Sequence, residues 1–412
     1  MRQCPALSRA PRCWAILFSI PLLYLGTGCG EEAAESSLAG LPRLSLVQEL
    51  RIGSVDDPDQ AFTWFRELEV APDGRIYTMH PQEETIRVHD QQGRLLRTIG
   101  RRGEGPGEFQ NLGRMGMLGD TLWVLDFGTY RFSYFSLEGE LLGSRQIPID
   151  LGSGPDERPP RPRGLLSDGS IMASPPAFSR LVVDGTIKRQ VVLRMDMTGA
   201  VADTLFTYSL ENTTLEVHDP DNPRGPRSYV TQPFTDTEIA QISPSAPAVI
   251  RVDRTAARSS DPTAFRVTRV EFGGDTVFSR EYEYTPIPLT DHLVDSIIRD
   301  IGERLSKLPF PGRATQARVE ALARDALYRP AFHPPVSGLV IGRDGTLWLQ
   351  REKTGADFVD WIVLAPTGEA VGIVAMPRDL RVLAAERGTV WGMESDELDV
   401  PYIVRYRVVE SD

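Results

Sequence analysis

Apolar residues in this chain occur in short runs separated by turn residues, and the runs return in a fixed order. The unit is an apolar strand, a tight turn carrying Asp or Gly, a second strand with an aromatic, a loop, a third alternating strand, another Gly turn and a fourth strand. One clear copy holds Leu68–Tyr77, Ile86–Asp90 and Gly93–Ile99. Its Pro72-Asp73-Gly74 and Gln92-Gly93 steps read as hairpin turns, because glycine supplies the positive φ that a tight connection needs. A second copy holds Leu118–Asp126, Arg131–Phe135 and Glu138–Leu142, and a third holds Gly164–Met172, Val191–Asp196 and Asp203–Phe206. The fourth is looser, with Ala248–Val252, Phe265–Val270 and Asp275–Phe278; the fifth is sharp again, with Leu339–Leu349, Trp361–Leu364 and Gly368–Gly372.

The sixth copy has three strands, Leu380–Leu383, Val390–Met393 and Tyr402–Val408, before the chain ends. An orphan strand, Leu44–Ile52, precedes the first copy and can supply the missing fourth. A ring closed this way has no open seam, only short protected outer edges. Turn residues Gly74, Asp120, Gly169, Gly345 and Gly388 stand 43 to 49 residues apart except across one long gap, close to the period of a four-stranded blade. The pattern therefore predicts an all-β, six-bladed β-propeller over residues 42–412, with the N-terminal strand completing the last blade; a seventh blade within the gap is the alternative count.

Two insertions fill that gap beside the fourth blade. Glu211–Arg227 is turn-rich and reads as a loop with no strand periodicity. From Thr290 to Tyr328 the period changes to helical. Thr290 can cap, Leu293, Ile297, Ile298, Ile301 and Leu305 form a stripe, residues 309–312 break it, and Val319, Leu322, Ala323 and Leu327 form a second stripe. This predicts a helical hairpin between blades four and five, either a lid over the ring or a decoration whose stripes pack on the ring's side.

The N-terminus has a different character. Arg2, Arg9 and Arg12 precede an apolar run, Trp14–Leu25, which has the length of a signal-peptide core and is too short to span a bilayer as a helix. Residues 1–28 therefore read as a signal peptide. Gly26-Thr27-Gly28-Cys29 resembles the lipobox of bacterial lipoproteins, although the leucine usual three residues before the cysteine stands four before it, at Leu25. The resemblance implies a lipid on Cys29, a flexible tether over residues 29–41 and, with Gly30 in place of an inner-membrane retention aspartate, the outer membrane as destination. Ordinary cleavage to a soluble periplasmic or secreted protein is the alternative.

Cys4, Cys13 and Cys29 are the three cysteines, so the mature chain keeps one and forms no internal disulfide. The whole sequence carries 45 Lys and Arg against 57 Asp and Glu, and the leader removes three of the positive charges. Such a field repels phosphate backbones, which excludes nucleic acid as the expected partner. A monomer is expected.

Several segments resemble a known group. Gly103-Glu104-Gly105-Pro106-Gly107-Glu108-Phe109 is similar to the connector of NHL-repeat proteins, and Leu122–Asp126 followed by Tyr130-Arg131-Phe132 is similar to the NHL strand pair. With Gly342–Trp348 and Asp396–Pro401, the mature chain resembles the bacterial six-bladed β-propeller lipoproteins. That resemblance implies fold over nearly the whole chain and little about activity. Asp126 and Arg131 read as a structural pair or as donors and acceptors for backbone.

Chemistry in such a ring is expected on the face shared by the loops after second strands and between blades. Here that face would collect His80, Asp126, Arg351, Glu352, Glu394 and Asp396, with Arg102 and His333. NHL-like lyases use a histidine cluster in the channel; of His80, His89, His218, His292 and His333, the first and last fall on this face. Two histidines helped by Glu394 or Asp396 could hold calcium or zinc, yet nothing in the spacing fixes a metal geometry, and no cofactor is expected. Nucleophile-elbow and P-loop signatures are absent, and Gly103–Gly107 joins two strands, so it lacks the helix dipole of an anion loop. The sequence thus favours a surface-tethered binding or scaffold propeller for a small-molecule, glycan or protein ligand. Its rival is a metal-dependent hydrolase or lyase, lactonase-like or amidating-lyase-like, acting in the channel.

Overall fold

The computed structural model describes residues 34–38, 40–54, 57, 61–62, 64–149, 159–176, 187–222, 227–259, 263–308, 314–351 and 357–410. The leader, Cys29 and Glu352 lie outside them. Contacts divide the chain after Ala33, and all the sheets belong to the unit Ala34–Asp412.

Each repeat folds as an antiparallel four-stranded sheet. Blade 1 is Leu68–Val70, Ile76–His80, Thr85–His89 and Leu95–Ile99; blade 2 is Leu112–Leu118, Thr121–Asp126, Arg131–Phe135 and Leu141–Gln146. Blade 3 is Arg161–Leu165, Ile171–Ser174, Arg189–Met195 and Val201–Ser209; blade 4 is Ile239–Ile242, Ala248–Asp253, Ala264–Glu271 and Thr276–Glu283. Blade 5 is Gly338–Ile341, Leu347–Gln350, Phe358–Leu364 and Ala370–Pro377. Blade 6 has Arg381–Glu386, Thr389–Ser395 and Pro401–Glu410, and its fourth strand is the N-terminal Arg43–Ile52, antiparallel to the last strand from Leu44 opposite Glu410 to Ile52 opposite Ile403. The count is six. Gly74 and Gly345 hold φ of +82° and +80° in their hairpin turns, which is why these positions read so clearly as glycine.

Burial follows position within a blade. Second strands are covered on both faces by neighbouring blades, so every residue of Ile76–His80 and all but the first of Thr121–Asp126 is buried. Fourth strands form the rim and are largely exposed, as in Leu141–Gln146. Apolar clusters fill the seams: Tyr77, Met79 and Val88 meet Phe109, Leu122 and Val124 between blades 1 and 2, and Trp123 and Phe132 meet Ile171 and Met195 between 2 and 3. Ile250 and Phe265 meet Leu347 and Ile362 between 4 and 5, Trp361 and Val374 meet Val390 and Val404 between 5 and 6, and Trp391 and Ile403 meet Leu68 and Ile76 between 6 and 1. Among the described residues, no such cluster fills the seam between blades 3 and 4.

Two expectations are corrected. The tether is not unstructured throughout, because Ala34–Ser37 pairs in parallel with Arg280–Glu283 as a fifth strand of blade 4, and Leu38 enters the adjoining apolar cluster. Arg43 and Leu44 then pair with Ile373 and Val374 of blade 5 before the chain joins blade 6, so one N-terminal segment straps three blades. The turn-rich loop is likewise partly a hairpin, Thr214–Val217 against Ser228–Thr231. Its strands are too short for periodicity to show.

That hairpin explains the helices. Asp291–Ser306 is capped by Thr290, whose hydroxyl accepts from the Leu293 amide, and Gln316–Ala326 is capped by Thr315. Ile301, Leu305, Val319 and Ala323 pack on Leu215 and Val217 of the hairpin rather than on the ring, while Val294 and Ile298 cover Phe234 and Leu289. The two insertions, separate in sequence, thus make one small core, fastened by Arg318 to Asp219 at 2.7 Å and by Gln232 to the Ala326 carbonyl at 3.0 Å.

The closing strand generates a test. Ile52 is 1% exposed and packs in the seam between blades 6 and 1, whereas Val47 on the same strand is 42% exposed. Ile52→Ala is expected to cost about 2–5 kcal/mol in denaturant unfolding and Val47→Ala less than about 0.5 kcal/mol; equal losses would show that strand pairing, not the apolar seam, closes the ring.

Candidate functional site

The structure engages the residues nominated from sequence in separate local tasks. Asp126, at the end of a second strand, accepts the amides of Gln110 (2.6 Å), Asn111 (3.4 Å), Gly128 (2.7 Å) and Thr129 (3.1 Å). Arg131 donates to the carbonyls of Glu104 (2.9 Å), Gly105 (3.1 Å) and Glu108 (2.6 Å). Both therefore hold the connector between blades 1 and 2 through its backbone. The Gly-rich run in that connector is closed by its own Glu108, whose carboxylate accepts from the Gly105 amide at 2.9 Å and pairs with Arg101; these bonds hold its pKa below the usual range. Arg102 lies 3.8 Å from Glu84.

His80 is fully buried, its Nε2 2.9 Å from the Thr78 hydroxyl and its ring stacked on Phe62 at 5.6 Å. Burial, with Arg87 and His89 nearby, pushes its pKa down to about 3, and His89 in the same aromatic nest is pushed down to about 4. His333 is buried against Phe234, edge to face at 5.9 Å, and its amide donates to the Ile287 carbonyl. In blade 5, the Arg351 amide bonds the Asp360 carbonyl at 2.8 Å and burial lowers the pKa of its guanidinium, while Arg43 reaches the Asp360 carboxylate at 3.1 Å. Glu394 pairs with Arg51 at 3.1 Å and accepts from the Tyr406 hydroxyl. Asp396 organises its own turn through the amides of Leu398 and Val400, which lower its pKa, and takes the Tyr402 hydroxyl at 3.0 Å. Among the described residues, no three His, Cys, Asp or Glu side chains come together as metal ligands.

An open site lies on the other face, among the hairpin turns between first and second strands. A cavity of about 640 Å³ is bounded by the Val70–Gly74 turn of blade 1, Arg343 of blade 5, and Leu383, Ala385 and Trp391 of blade 6. Glu69, on the innermost strand of blade 1, forms an ion pair with Arg343, which also donates to the Val70 carbonyl at 2.8 Å. Glu69 is surrounded by protein yet keeps 24% of its side chain open to the cavity. Desolvation outweighs Arg343 here, with Glu67 adding repulsion, and raises its pKa to about 7. Glu67, just before this strand, turns to blade 2, where it pairs with Arg114 at 3.0 Å and accepts the Met115 amide at 2.8 Å; burial raises its pKa as well. The innermost strand of blade 1 and the residue before it thus send two carboxylates to guanidiniums on two other blades. The alternation Glu67-Leu68-Glu69-Val70 carries this signal in sequence, acidic toward the channel and apolar toward the seam, at a strand and not in a loop.

Residues 66–153 match the family model DUF5128, described as a 6-bladed beta-propeller. No curated protein matches the sequence. Similar solved structures include a protein of Bacteroides fragilis NCTC 9343 described as exported, at 12% identity over 92% of this chain and 100% of that one, with a TM-score of 0.44. A DUF4221-family member from Bacteroides vulgatus ATCC 8482 has 11% identity over 89% and 99%, with a TM-score of 0.46. Inactive virginiamycin B lyase from Staphylococcus aureus, with quinupristin, has 10% identity over 89% and 99%, with a TM-score of 0.38. Likeness this low carries nothing about function. The chain's own sheets, with the matched family model over blades 1 and 2, make it a six-bladed β-propeller.

The raised pKa of Glu69 sets a sign. The unfolded carboxyl ionises near its model value of 4.5 and the folded one near 7, so its contribution to stability is present below pH 4.5 and is lost as pH rises through 7. Glu69→Gln keeps an acceptor for Arg343 without the charge. The melting temperature of this variant relative to wild type is expected to be higher at pH 8 than at pH 5; a pH-independent difference would show that Glu69 titrates normally.

Proposed function

We propose that this chain is an exported, lipid-anchored propeller that binds a ligand at its ring and does not transform it. The observation that carries this reading is the cavity at the mouth of the ring, polar through the Glu69–Arg343 pair, in a chain whose Asp126, Arg131 and Asp396 hold backbone and whose His80 and His333 pack on aromatics. Buried histidines with pKa values near 3 and 4 stay neutral at physiological pH. Nitrogens packed against Phe62 offer no approach to a substrate held in the channel mouth.

Export and anchoring rest on the positive leader, its short apolar run and the cysteine that ends it. Among the described residues, no helix is long and apolar enough to cross a membrane. Outer-membrane lipid attachment at Cys29 is the proposed means of retention, and a monomer is the proposed state.

Expression with a labelled fatty acid tests the anchor. Wild type is expected to carry label and sediment with membranes, and Cys29→Ala to lose both; a labelled, membrane-bound variant would overturn the assignment. The binder reading expects less than about a tenth of an equivalent of zinc, calcium or iron in purified protein. It also expects no turnover of a lactone or of a hydroxyglycine peptide, and metal-dependent turnover abolished by His80→Ala would favour a hydrolase or lyase instead.

A further inference from the structure

Five seams of the ring are closed by apolar clusters; the sixth, between blades 3 and 4, contains a cavity of about 800 Å³. Its wall is one face of blade 3 against the innermost strand of blade 4. Met172, Val192, Phe206 and Ile242 supply apolar surface, with Val192 and Phe206 directly opposite in register. Toward the channel the character changes, because Arg163 of blade 3 and Arg114 of blade 2 line that end.

The guanidiniums are unevenly satisfied. Arg114 pairs with Glu67 at 3.0 Å, whereas Arg163 donates its Nε to the Ser174 hydroxyl at 3.1 Å. Among the described residues, no carboxylate lies within ion-pair distance of Arg163 or of Arg161, two residues before it on the same strand. Burial lowers the pKa of Arg163, and the charges of Arg161 and Arg114 act in the same direction. In a chain of net charge −12, this is a local positive site at the channel end of an open cleft, an arrangement that attracts anions. A guanidinium offers a planar fork suited to a carboxylate. Beyond it the apolar side chains alternate with Gln190, Tyr208 and Gln241, a lining that accepts a hydrocarbon or ring, and the volume lies within the range of small-molecule sites.

We infer that the seam between blades 3 and 4 is a binding site for a small amphipathic carboxylate, its head on Arg163 at the channel end and its apolar body between Met172, Val192, Phe206 and Ile242. The inference deepens the reading of the chain as a binder and rests on it. It also fits the lack of an apolar cluster in this seam among the described residues, since the guest occupies space that side chains fill in the other five seams.

Calorimetric titration of the mature full-length chain with octanoate, 1-octanol and inorganic phosphate tests this. Octanoate is expected to bind one site at least tenfold more tightly than either 1-octanol, which lacks the charge, or phosphate, which lacks the apolar body. Arg163→Gln is expected to weaken octanoate at least tenfold while keeping the wild-type melting temperature. Val192→Trp, which fills the cavity and leaves Arg163 in place, is expected to abolish binding and serves if the arginine variant fails to fold. Equal affinity for phosphate, or octanoate binding unchanged in either folded variant, would overturn the site. No octanoate binding together with no turnover overturns this pocket and leaves the binder reading standing; turnover unaffected by Arg163→Gln overturns the binder reading alone.

Discussion

The ladder between Arg43–Ile52 and Pro401–Glu410 joins residues as far apart as Leu44 and Glu410, 366 positions, and the ring exists only if it forms. Closing a loop of that length costs on the order of 5 kcal/mol in chain entropy by the logarithmic law. Seven buried side chains in the adjoining cluster, each contributing roughly 1.5–3 kcal/mol on burial, outweigh that cost, so the seam rather than the hydrogen bonds decides closure. The N-terminal segment adds a second device. By touching the rims of blades 4, 5 and 6 in turn, it couples three blades that would otherwise meet only neighbour to neighbour.

Much of this fold is legible in sequence because its punctuation is steric. Gly74, Gly93, Gly169, Gly345 and Gly368 all adopt the positive φ that tight hairpins demand, and the apolar runs between them match strand length. Three parts escape that logic. Ile239–Ile242 is four residues long and partly exposed, so the innermost strand of blade 4 has no strong alternation. The hairpin at Thr214–Val217 is followed by Pro220, Pro223, Gly225 and Pro226, which advertise a loop. Ala34–Ser37, with the sequence Ala-Glu-Ser-Ser, has no apolar run and becomes a strand because the edge of blade 4 offers it backbone partners.

The site was harder to read for a related reason. Sequence reasoning weights charged residues near turns, yet a carboxylate at a strand end is well placed to accept the amides of the next turn, as Asp126 and Asp396 do. Histidines in an apolar context are equally ambiguous, and both His80 and His89 lie in an aromatic nest whose burial lowers their pKa values. Glu67, Glu69, Arg114, Arg163 and Arg343 are spread over four blades and converge only after the ring closes. No local motif records such a meeting.

The open seam also changes how the ring can move. Five seams must lose tightly packed apolar contacts to separate, whereas the one between blades 3 and 4 has, among the described residues, no comparable cluster to lose. Local opening is drawn from the least stable part of a structure. Among the described residues, the seam between blades 3 and 4 is therefore the one where the fewest buried apolar contacts oppose separation of neighbouring blades.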